Sequence, residues 1–248
     1  MKNTPRTSRP FVSNILTNSD FTAGLDRGHF LSRTGNCKTL VEADGYCRGE
    51  GVGTVVLNRL EDALRHGDPI RGVIVNACTN HIAEVASITR PCSSAQRDPF
   101  VKVLGGLEPA NVTYVEIHGT GAQVGDATGM TSVLEAIAPT QSPRALSESL
   151  VYLGSVKPTL GHGEAAAGIT SLIKLLLMMQ AKLIPPHTGI KNRISRNFPD
   201  DLEGRGVRIA KAPVRWKRIG GPRAAILNNF SATGGNTTLL DTARWAIR

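Results

Sequence analysis

Two histidines in matching glycine-rich surroundings are the strongest candidates for chemistry in this sequence. His118 stands in residues 117–121 (IHGTG), and His162 stands in residues 160–164 (LGHGE). Glycines beside a histidine clear space, so a substrate can approach both the ring and the backbone. Histidine acts as an acid, a base or a hydrogen-bond donor near neutral pH. The pair predicts a catalytic or binding site, with packed core rings as the alternative. The other histidines lack this setting and are expected to be structural or exposed: His29, His66, His81 and His187.

Short apolar runs precede both histidines and predict the strands that position them. Residues 112–117 indicate a strand that ends at His118, and residues 150–156 indicate a strand that ends at Lys157. The run at 164–182 predicts a helix that is apolar on nearly every face, which is typical of a helix buried inside a protein.

The rest of the chain alternates between predicted strands and helices. Strands are expected over 52–57, 70–78 and 224–227, and helices over 59–66 and 129–138, whereas residues 1–20 indicate an irregular stretch. This alternation predicts an α/β layered fold. Glycine-rich segments follow several strands, which is where open α/β sheets bind ligands. A turn at Asp68-Pro69 predicts a boundary between residues 1–68 and 69–248.

Composition excludes several classes of protein. The chain has 248 residues, of which 40% are apolar and 20% charged. It is therefore too apolar to be disordered and long enough for one large domain or two small ones. The most apolar stretch, residues 169–179, is shorter than the ~20 residues of a bilayer span. Neither a membrane segment nor a secretory signal is expected.

The net charge of +9 arises partly from a basic cluster late in the chain. Surfaces that bind nucleic acid interleave aromatic residues with such charges. Aromatic residues make up only 4% of this sequence, so we expect no nucleic-acid partner. A solvated basic face and a docking face for an acidic carrier protein both remain open. The cluster consists of Arg205, Arg208, Lys211, Arg215, Lys217, Arg218 and Arg223.

The cysteines indicate a reducing compartment rather than a scaffold. There are four, Cys37, Cys47, Cys78 and Cys92, which is too few for a disulfide framework, and none forms a C-x-x-C pair. We expect mostly buried thiols in the cytosol. No zinc motif, P-loop or complete dinucleotide-binding motif occurs, so no metal or cofactor is expected.

Five segments resemble the β-ketoacyl synthases, the condensing enzymes of fatty-acid and polyketide synthesis. Residues 115–121 (VEIHGTG) and 154–168 (GSVKPTLGHGEAAAG) resemble the two histidine motifs of that family. Residues 25–32 (LDRGHFLS), 44–53 (DGYCRGEGVG) and 228–237 (NNFSATGGNT) match further motifs in family order. The amino-acid sequences of these motifs are most similar to those of the ketosynthase domain of fungal iterative type I polyketide synthases, particularly non-reducing ones. The resemblance covers the chain from about Val12 onward.

The resemblance implies a fold, a reaction and residue roles. The fold is α/β, a thiolase-like layered αβαβα fold whose N-terminal part is missing here. The reaction is decarboxylative Claisen condensation of malonyl-acyl carrier protein with an acyl thioester held on a cysteine. By resemblance, His118 and His162 promote decarboxylation and stabilise the enolate and thioester oxygens, as preorganised donors do. Lys157 helps to order the site. Phe230 lines the acyl entrance and lends its backbone N–H to an oxyanion hole.

The sequence departs from the family at three points. The family's nucleophilic cysteine lies in a D-T-A-C-S-S motif upstream of the LDRGHFLS segment, and this sequence contains no such motif. Cys92 begins a similar Cys-Ser-Ser run, but its segment is loop-like and lies downstream, so a plain thiol is expected. Ala122 replaces a threonine, and Gly129 replaces a glutamate that the family carries.

These observations predict an incomplete ketosynthase that is inactive in condensation by itself. Its expected partners are acyl carrier protein and malonyl and acyl thioesters, its expected location is the cytoplasm, and it uses no cofactor or metal. The intact family forms homodimers through the sheet of the missing half, so that dimer is in doubt for this chain. One alternative is a non-catalytic partner of an intact ketosynthase. Another is a degradative thiolase, but the sequences of the motifs disfavour it.

Overall fold

The structure, a computed structural model, describes residues 7–42, 44–82, 90–140, 149–190, 194–218 and 221–243. Its strands are β1 (Thr7–Ser8), β2 (Phe11–Asn14), β3 (Gly51–Thr54), β4 (Leu57–Asn58), β5 (Val73–His81), β6 (Val112–Glu116), β7 (Val151–Gly154), β8 (Leu183–Ile184), β9 (Val207–Ile209), β10 (Val214–Arg215), β11 (Ala224–Phe230) and β12 (Gly235–Thr242). Its α-helices are α1 (Ser19–Arg27), α2 (Leu60–His66), α3 (Ser93–Leu104), α4 (Gln123–Ile137), α5 (Lys157–Leu160) and α6 (Ala167–Ala181). Short 3₁₀ turns occupy Pro109–Asn111 and Glu164–Ala166.

The main sheet has six strands in the order β5-β12-β11-β6-β7-β9. Strands β11, β6, β7 and β9 run parallel, whereas β12 is antiparallel to both of its neighbours. Every residue of β6 is buried, as expected of a parallel strand that is covered on both faces. The strands and intervening helices confirm the predicted α/β class.

Helices cover the two faces of the main sheet. Along β11, Ala224 and Ile226 belong to a buried cluster shared with α3 and α4. The alternate residues Ala225 and Leu227 belong to a second cluster shared with α6. Successive strand side chains point to opposite faces, so this alternation places α3 and α4 on one face and α6 on the other.

A smaller sheet packs on another side of α6. Strands β2 and β3 pair antiparallel, and a Cβ on Gly53 would lie only 2.7 Å from a methyl carbon of Ile169. Glycine therefore permits the close approach of β3 to α6. The outer face of this pair is open, because Phe11 is 63% exposed and Val52 is 66% exposed.

Several local predictions are confirmed and others are wrong. The strand at β6, the strand at β7 and helix α2 with its left-handed Gly67 cap lie where expected. Residues 1–6 lie outside the described residues, and residues 7–20 are not irregular, since they contain β1, β2 and the start of α1. Helix α4 begins at Gln123 rather than at Gly129, and the strand predicted over 52–57 is divided between β3 and β4. Helix α3 and strand β12 have no counterpart in the sequence-based prediction.

The segment Glu164–Ala181 is long and apolar enough in composition to cross a bilayer. In this fold, the apolar side chains of the segment pack into the protein core. Leu175 and Met178 are buried against the main sheet, and Lys174 forms an ion pair with the buried carboxylate of Glu116. Core packing therefore accounts for this helix.

Candidate active site

Three adjacent parallel strands bring the candidate residues to one edge of the main sheet. His118 follows β6, Lys157 and His162 follow β7, and Phe230 is the last residue of β11. Ligands of α/β sheets bind beyond the carboxyl ends of strands. The structure thus unites the segments that the sequence placed past separate strand ends.

The two histidine rings meet at one cavity. Their centroids are 5.4 Å apart and their planes nearly perpendicular, at 86°. The Phe230 ring lies 5.6 Å from the His118 ring, and the Tyr46 ring lies 5.2 Å from the His162 ring. All four line a cavity of about 680 Å³, together with Gly129 of α4 and Ala122, which directly precedes that helix.

His118 is held by residues of β11. Its backbone N–H donates to Asn228 Oδ1 at 2.6 Å, and the backbone N–H of Phe230 donates to its Nδ1 at 3.3 Å. Burial, with Lys157 and His162 nearby, lowers the pKa of His118 well below its ordinary value. The ring is therefore neutral at physiological pH. Nδ1 can accept from the Phe230 N–H only when the ring proton lies on Nε2.

Glycine is required in the turn after His118. Gly119 has a φ of 44°, and a Cβ there would lie 2.3 Å from the Thr39 methyl carbon. The backbone N–H groups of Thr120 and Gly121 donate to the Asp126 carboxylate. Burial nevertheless raises the pKa of Asp126 to about 6. The tight turn keeps the His118 ring at the cavity.

His162 is held mainly by backbone groups of another segment. Its N–H donates to the Cys47 carbonyl at 2.7 Å, and its carbonyl accepts from Gly49 N–H at 2.9 Å. Its Nδ1 accepts from the backbone N–H of Glu164 at 3.1 Å. Burial and the charge of Lys157 lower its pKa to about 4. His162 is thus also neutral, with its proton on Nε2.

An ion pair fastens the loop that carries His162. Arg48 Nε and Nη2 donate to the two Glu164 carboxylate oxygens at 2.7 and 2.9 Å. The guanidinium also donates to Thr22 Oγ1 and lies 4.8 Å from the centre of the Phe21 ring. Bidentate pairs of this kind fix geometry as well as charge. The ion pair therefore couples α1 and the segment before β3 to His162.

Unpaired donors accompany the two rings. Among the described residues, Lys157 Nζ and Asn228 Nδ2 are buried without a hydrogen-bond partner. Burial lowers the pKa of Lys157 to about 8, against opposing contributions from Glu116, Cys37 and Asp126. Lys157 is still mostly protonated at neutral pH. Of these donors, Asn228 and the two histidines line the cavity, whereas Lys157 is buried outside its lining and acts on it through its charge. Such an arrangement suits a bound anion or a developing oxyanion.

Glu116 is a supporting residue that sequence reasoning missed. Its carboxylate accepts from Val156 N–H at 2.7 Å, Tyr114 Oη at 2.7 Å and Lys174 Nζ at 2.6 Å. It thereby ties the turn before Lys157 to β6 and α6. The sequence shows Glu116 and Asn228 within the quoted motifs, but their partners lie 40 and 110 residues away. Only the fold reveals those pairings.

The cysteines correct one expectation. Cys37 is buried, but the other three are partly exposed, so the thiols are not mostly buried. Cys92 lies outside any helix or strand, as expected, and directly precedes α3, where a hydrogen bond with Ser94 lowers its pKa. Among the described residues, no cysteine lines the cavity and no cluster of His, Cys, Asp and Glu could hold a metal ion.

The late basic cluster does not border the cavity. Arg215 ends β10, and Arg223 directly precedes the first residue of β11. The candidate site lies at the other end of β11, beside Phe230. Arg223 therefore lies at the opposite end of β11 from the site, and none of the seven basic residues lines the cavity.

Two domain models of one enzyme family match most of the chain. The model described as beta-ketoacyl synthase, N-terminal domain, matches residues 12–63. The model described as beta-ketoacyl synthase, C-terminal domain, matches residues 71–191. The chain belongs to the β-ketoacyl synthase family. The ketosynthase motifs around His118 and His162 both fall within the second match.

Fungal polyketide synthases are similar to this ketosynthase chain over nearly its whole length. Non-reducing polyketide synthase PKS12 of Gibberella zeae is 57% identical over 234 residues, which are 92% of this chain and 11% of that protein. Polyketide synthase 1 of Metarhizium anisopliae is 55% identical over the same shares. The chain thus spans about a tenth of the length of these relatives. It is similar to the ketosynthase domain of fungal polyketide synthases.

Solved ketosynthases share the fold. The ketosynthase from module 6 of the bacillaene synthase of Bacillus subtilis is 26% identical, with a TM-score of 0.88 over 97% of this chain and 43% of that one. An oxazolomycin ketosynthase domain of Streptomyces albus is 27% identical, with a TM-score of 0.88 over 98% and 42%. The thiolase-like prediction is confirmed, and the chain spans about two fifths of these ketosynthases.

Proposed function

We propose that this chain carries the histidine side of a polyketide β-ketoacyl synthase site. The full reaction is decarboxylative Claisen condensation of malonyl-acyl carrier protein with an enzyme-bound acyl thioester. One observation carries the proposal: two histidine rings, whose centroids are 5.4 Å apart, lie together at one cavity. The similarity to polyketide synthases named above supports the substrate class.

Decarboxylation is the step that these residues can assist. The bond between the malonyl carboxylate and its α-carbon breaks, carbon dioxide leaves, and the electron pair moves onto the thioester carbonyl to form an enolate. Nε2–H groups of His118 and His162 donate to that oxygen as its charge develops. The positive charge of Lys157, which is 1% exposed, favours the same anion. Without an acyl acceptor, a solvent proton on the α-carbon completes the reaction and yields an acetyl thioester.

Condensation needs a further group, a thiol that holds the acyl chain at the cavity. No described cysteine lines the cavity, so we propose that the chain by itself decarboxylates but does not condense. Acyl carrier protein is the proposed donor of the malonyl group. The proposed location is the cytoplasm, with no cofactor and no metal.

The test uses the purified chain and malonyl-N-acetylcysteamine, a small malonyl thioester. We expect acetyl thioester to form faster than in buffer, and His162→Ala to abolish most of the acceleration. His66→Ala supplies the matched control, because His66 is exposed at the end of α2. Rates that do not exceed those of the His162→Ala variant would refute the proposal.

A second candidate is a non-catalytic partner that associates with an intact ketosynthase. The open outer face of the β2–β3 pair favours it, with Phe11 and Val52 more than half exposed. We expect an intact ketosynthase to co-purify with the chain and Phe11→Ser to weaken that association. Val101→Ser is the matched control, since Val101 is 50% exposed on α3. Equal losses in both variants would count against this candidate.

A further inference from the structure

Asn229 touches the same nitrogen of His118 as the backbone of Phe230 does. Its side-chain oxygen Oδ1 is placed 2.8 Å from His118 Nδ1, and Phe230 N–H points at that Nδ1 from 3.3 Å. A neutral ring nitrogen either donates or accepts. Nδ1 therefore cannot donate to Asn229 while it accepts from Phe230.

The backbone decides between these two arrangements. A half-turn of the Asn229 amide exchanges Oδ1 and Nδ2 and leaves the other heavy atoms in place. The Phe230 N–H belongs to β11, whose pairing with β12 extends to Phe230 itself, and it cannot turn in this way. Both contacts are satisfied only when Nδ2 of Asn229 faces the ring and donates to Nδ1.

We propose that Asn229 is a positioning residue that keeps the proton of His118 on Nε2. Its amide adds a second donor to Nδ1, so the ring presents Nε2–H to the cavity and not a bare nitrogen. The catalytic meaning of this tautomer rests on the proposed function. The tautomer itself can be measured without any reaction.

The surroundings of the amide and of the ring fit this assignment. A Cβ on Gly168, in the first turn of α6, would lie 3.3 Å from the outer amide atom of Asn229, so glycine leaves room for the side chain. The titratable groups that act on His118 are Lys157 and His162, and both disfavour a positive ring. The neutral ring must therefore choose one tautomer, which its hydrogen bonds select.

The experiment is ¹⁵N NMR of the chain labelled at histidine, with His118 assigned by the loss of its signals in His118→Gln. In the unaltered protein we expect a protonated Nε2 and an unprotonated Nδ1 across about pH 6 to 8. Asn229→Asp keeps the shape but can only accept. We expect it to move the proton to Nδ1 and to raise the pKa of His118. The control Asn111→Asp places the same charge at an exposed turn and should change neither.

A protonated Nδ1 in the unaltered protein, or an unchanged tautomer in Asn229→Asp, would overturn the proposal. If Asn229→Asp fails to fold, Gly168→Ala serves instead, because its methyl group displaces the amide. We expect it to shift the Nδ1 signal of His118 while that of His162 stays in place. If the proposed function holds, Asn229→Asp also slows decarboxylation about 100-fold, as the loss of one oxyanion donor does. A tautomer switch in a chain without activity would support Asn229 and refute only the proposed function.

Discussion

The two histidines of the cavity are held by regions that differ in how completely they are packed. His118 is fixed from β11 of the main sheet, where Asn228 is only 2% exposed. His162 is fixed from residues 47–49, which lead into β3 of the small sheet. The main sheet has helices on both faces, whereas the small sheet has an open apolar face. Local opening is easiest where buried contacts are few, so His162 should lose its place before His118 does.

The geometry of the site therefore depends on the small-sheet region, which is less completely packed than the main sheet. The rings can act together only while both stay at the cavity. The ion pair between Arg48 and Glu164 is the strongest polar link between the small-sheet region and the His162 loop. Variants that weaken one support and spare the other distinguish the closed region from the open one.

The largest effect is expected from removing the histidines. His118→Ala and His162→Ala should each slow malonyl-thioester decarboxylation by about 10²- to 10³-fold, because each removes one oxyanion donor. The double variant should be little worse than either, since residues that act as a unit are not additive. Initial rates of acetyl-thioester formation measure this. A rate loss in the double variant equal to the product of the two single losses would show that the two donors act independently. The activity would then not require both supports at once.

Arg48→Ala should separate the two supports. It leaves the Glu164 carboxylate, whose side chain is 21% exposed, without its cation, and we expect the free energy of unfolding to fall by about 3 kcal/mol. Amide hydrogen exchange should quicken at residues 47–49 but not at 228–230. Arg33→Ala, which removes an exposed ion pair with Asp26, should cost about 0.5 kcal/mol or less in urea unfolding. Equal quickening in both segments would contradict the contrast.

The closed region contains one weak point of its own, Asp241 on β12. Its carboxylate is 1% exposed and makes no well-formed hydrogen bond among the described residues. Burial raises its pKa to about 6, although the nearby backbone N–H groups of Thr242 and Val73 act in the opposite direction. The folded state thus binds a proton more tightly than the unfolded chain, so stability should fall as pH rises from about 4 through about 6. Asp241→Asn should add about 2 kcal/mol at pH 8 and nothing near pH 4, as measured by urea unfolding.

The matched control for Asp241 is Asp126, whose pKa burial also raises to about 6. Its carboxylate accepts from the backbone N–H groups of Thr120 and Gly121, and the amide of Asp126→Asn keeps only one acceptor oxygen. This variant should therefore gain less stability at pH 8 than Asp241→Asn. Equal gains in both variants would show that burial alone, and not the difference in hydrogen bonds, governs the effect.

The smallest effect is expected in the rates of thiol labelling, which report on the region around Cys37. Burial raises the pKa of Cys37, whereas a hydrogen bond with Ser94 lowers that of Cys92. Iodoacetamide should therefore label Cys92 about tenfold or more faster than Cys37. The Cys37 thiol lies 3.3 Å from both backbone N and O of Cys47, beside the bond to His162. Arg48→Ala should quicken labelling at Cys37 only, and a change at Cys92 would contradict this.

The sequence predicts the elements whose signals are local. Strand β6 and strand β7 are continuous apolar runs, and α2 ends at a glycine, so each lies within a few residues of its expected place. Helix α1 was not predicted, although Asn18 caps its N-terminus and Phe21 and Leu25 are spaced as on one face of a helix. Helix α3 contains Pro99, and α4 begins with small residues that line the cavity. Proline and small residues such as glycine indicate a helix end rather than a helix interior, so neither helix was expected at its observed bounds.

The candidate site, like the fold, could be predicted from the sequence only in part. The sequence by itself determined the types of the chemical groups and their order, since His118, Lys157, His162 and Phe230 stand in motifs that are legible one at a time. Only the tertiary structure decided which groups contact each ring nitrogen and which segment holds which histidine. It also decided that the buried ammonium group of Lys157 has no hydrogen-bond partner among the described residues. Those properties depend on contacts between residues as far apart as His118 and Asn228, 110 positions along the chain. Such contacts arise when three parallel strands end at one edge of a sheet, and no local pattern records them.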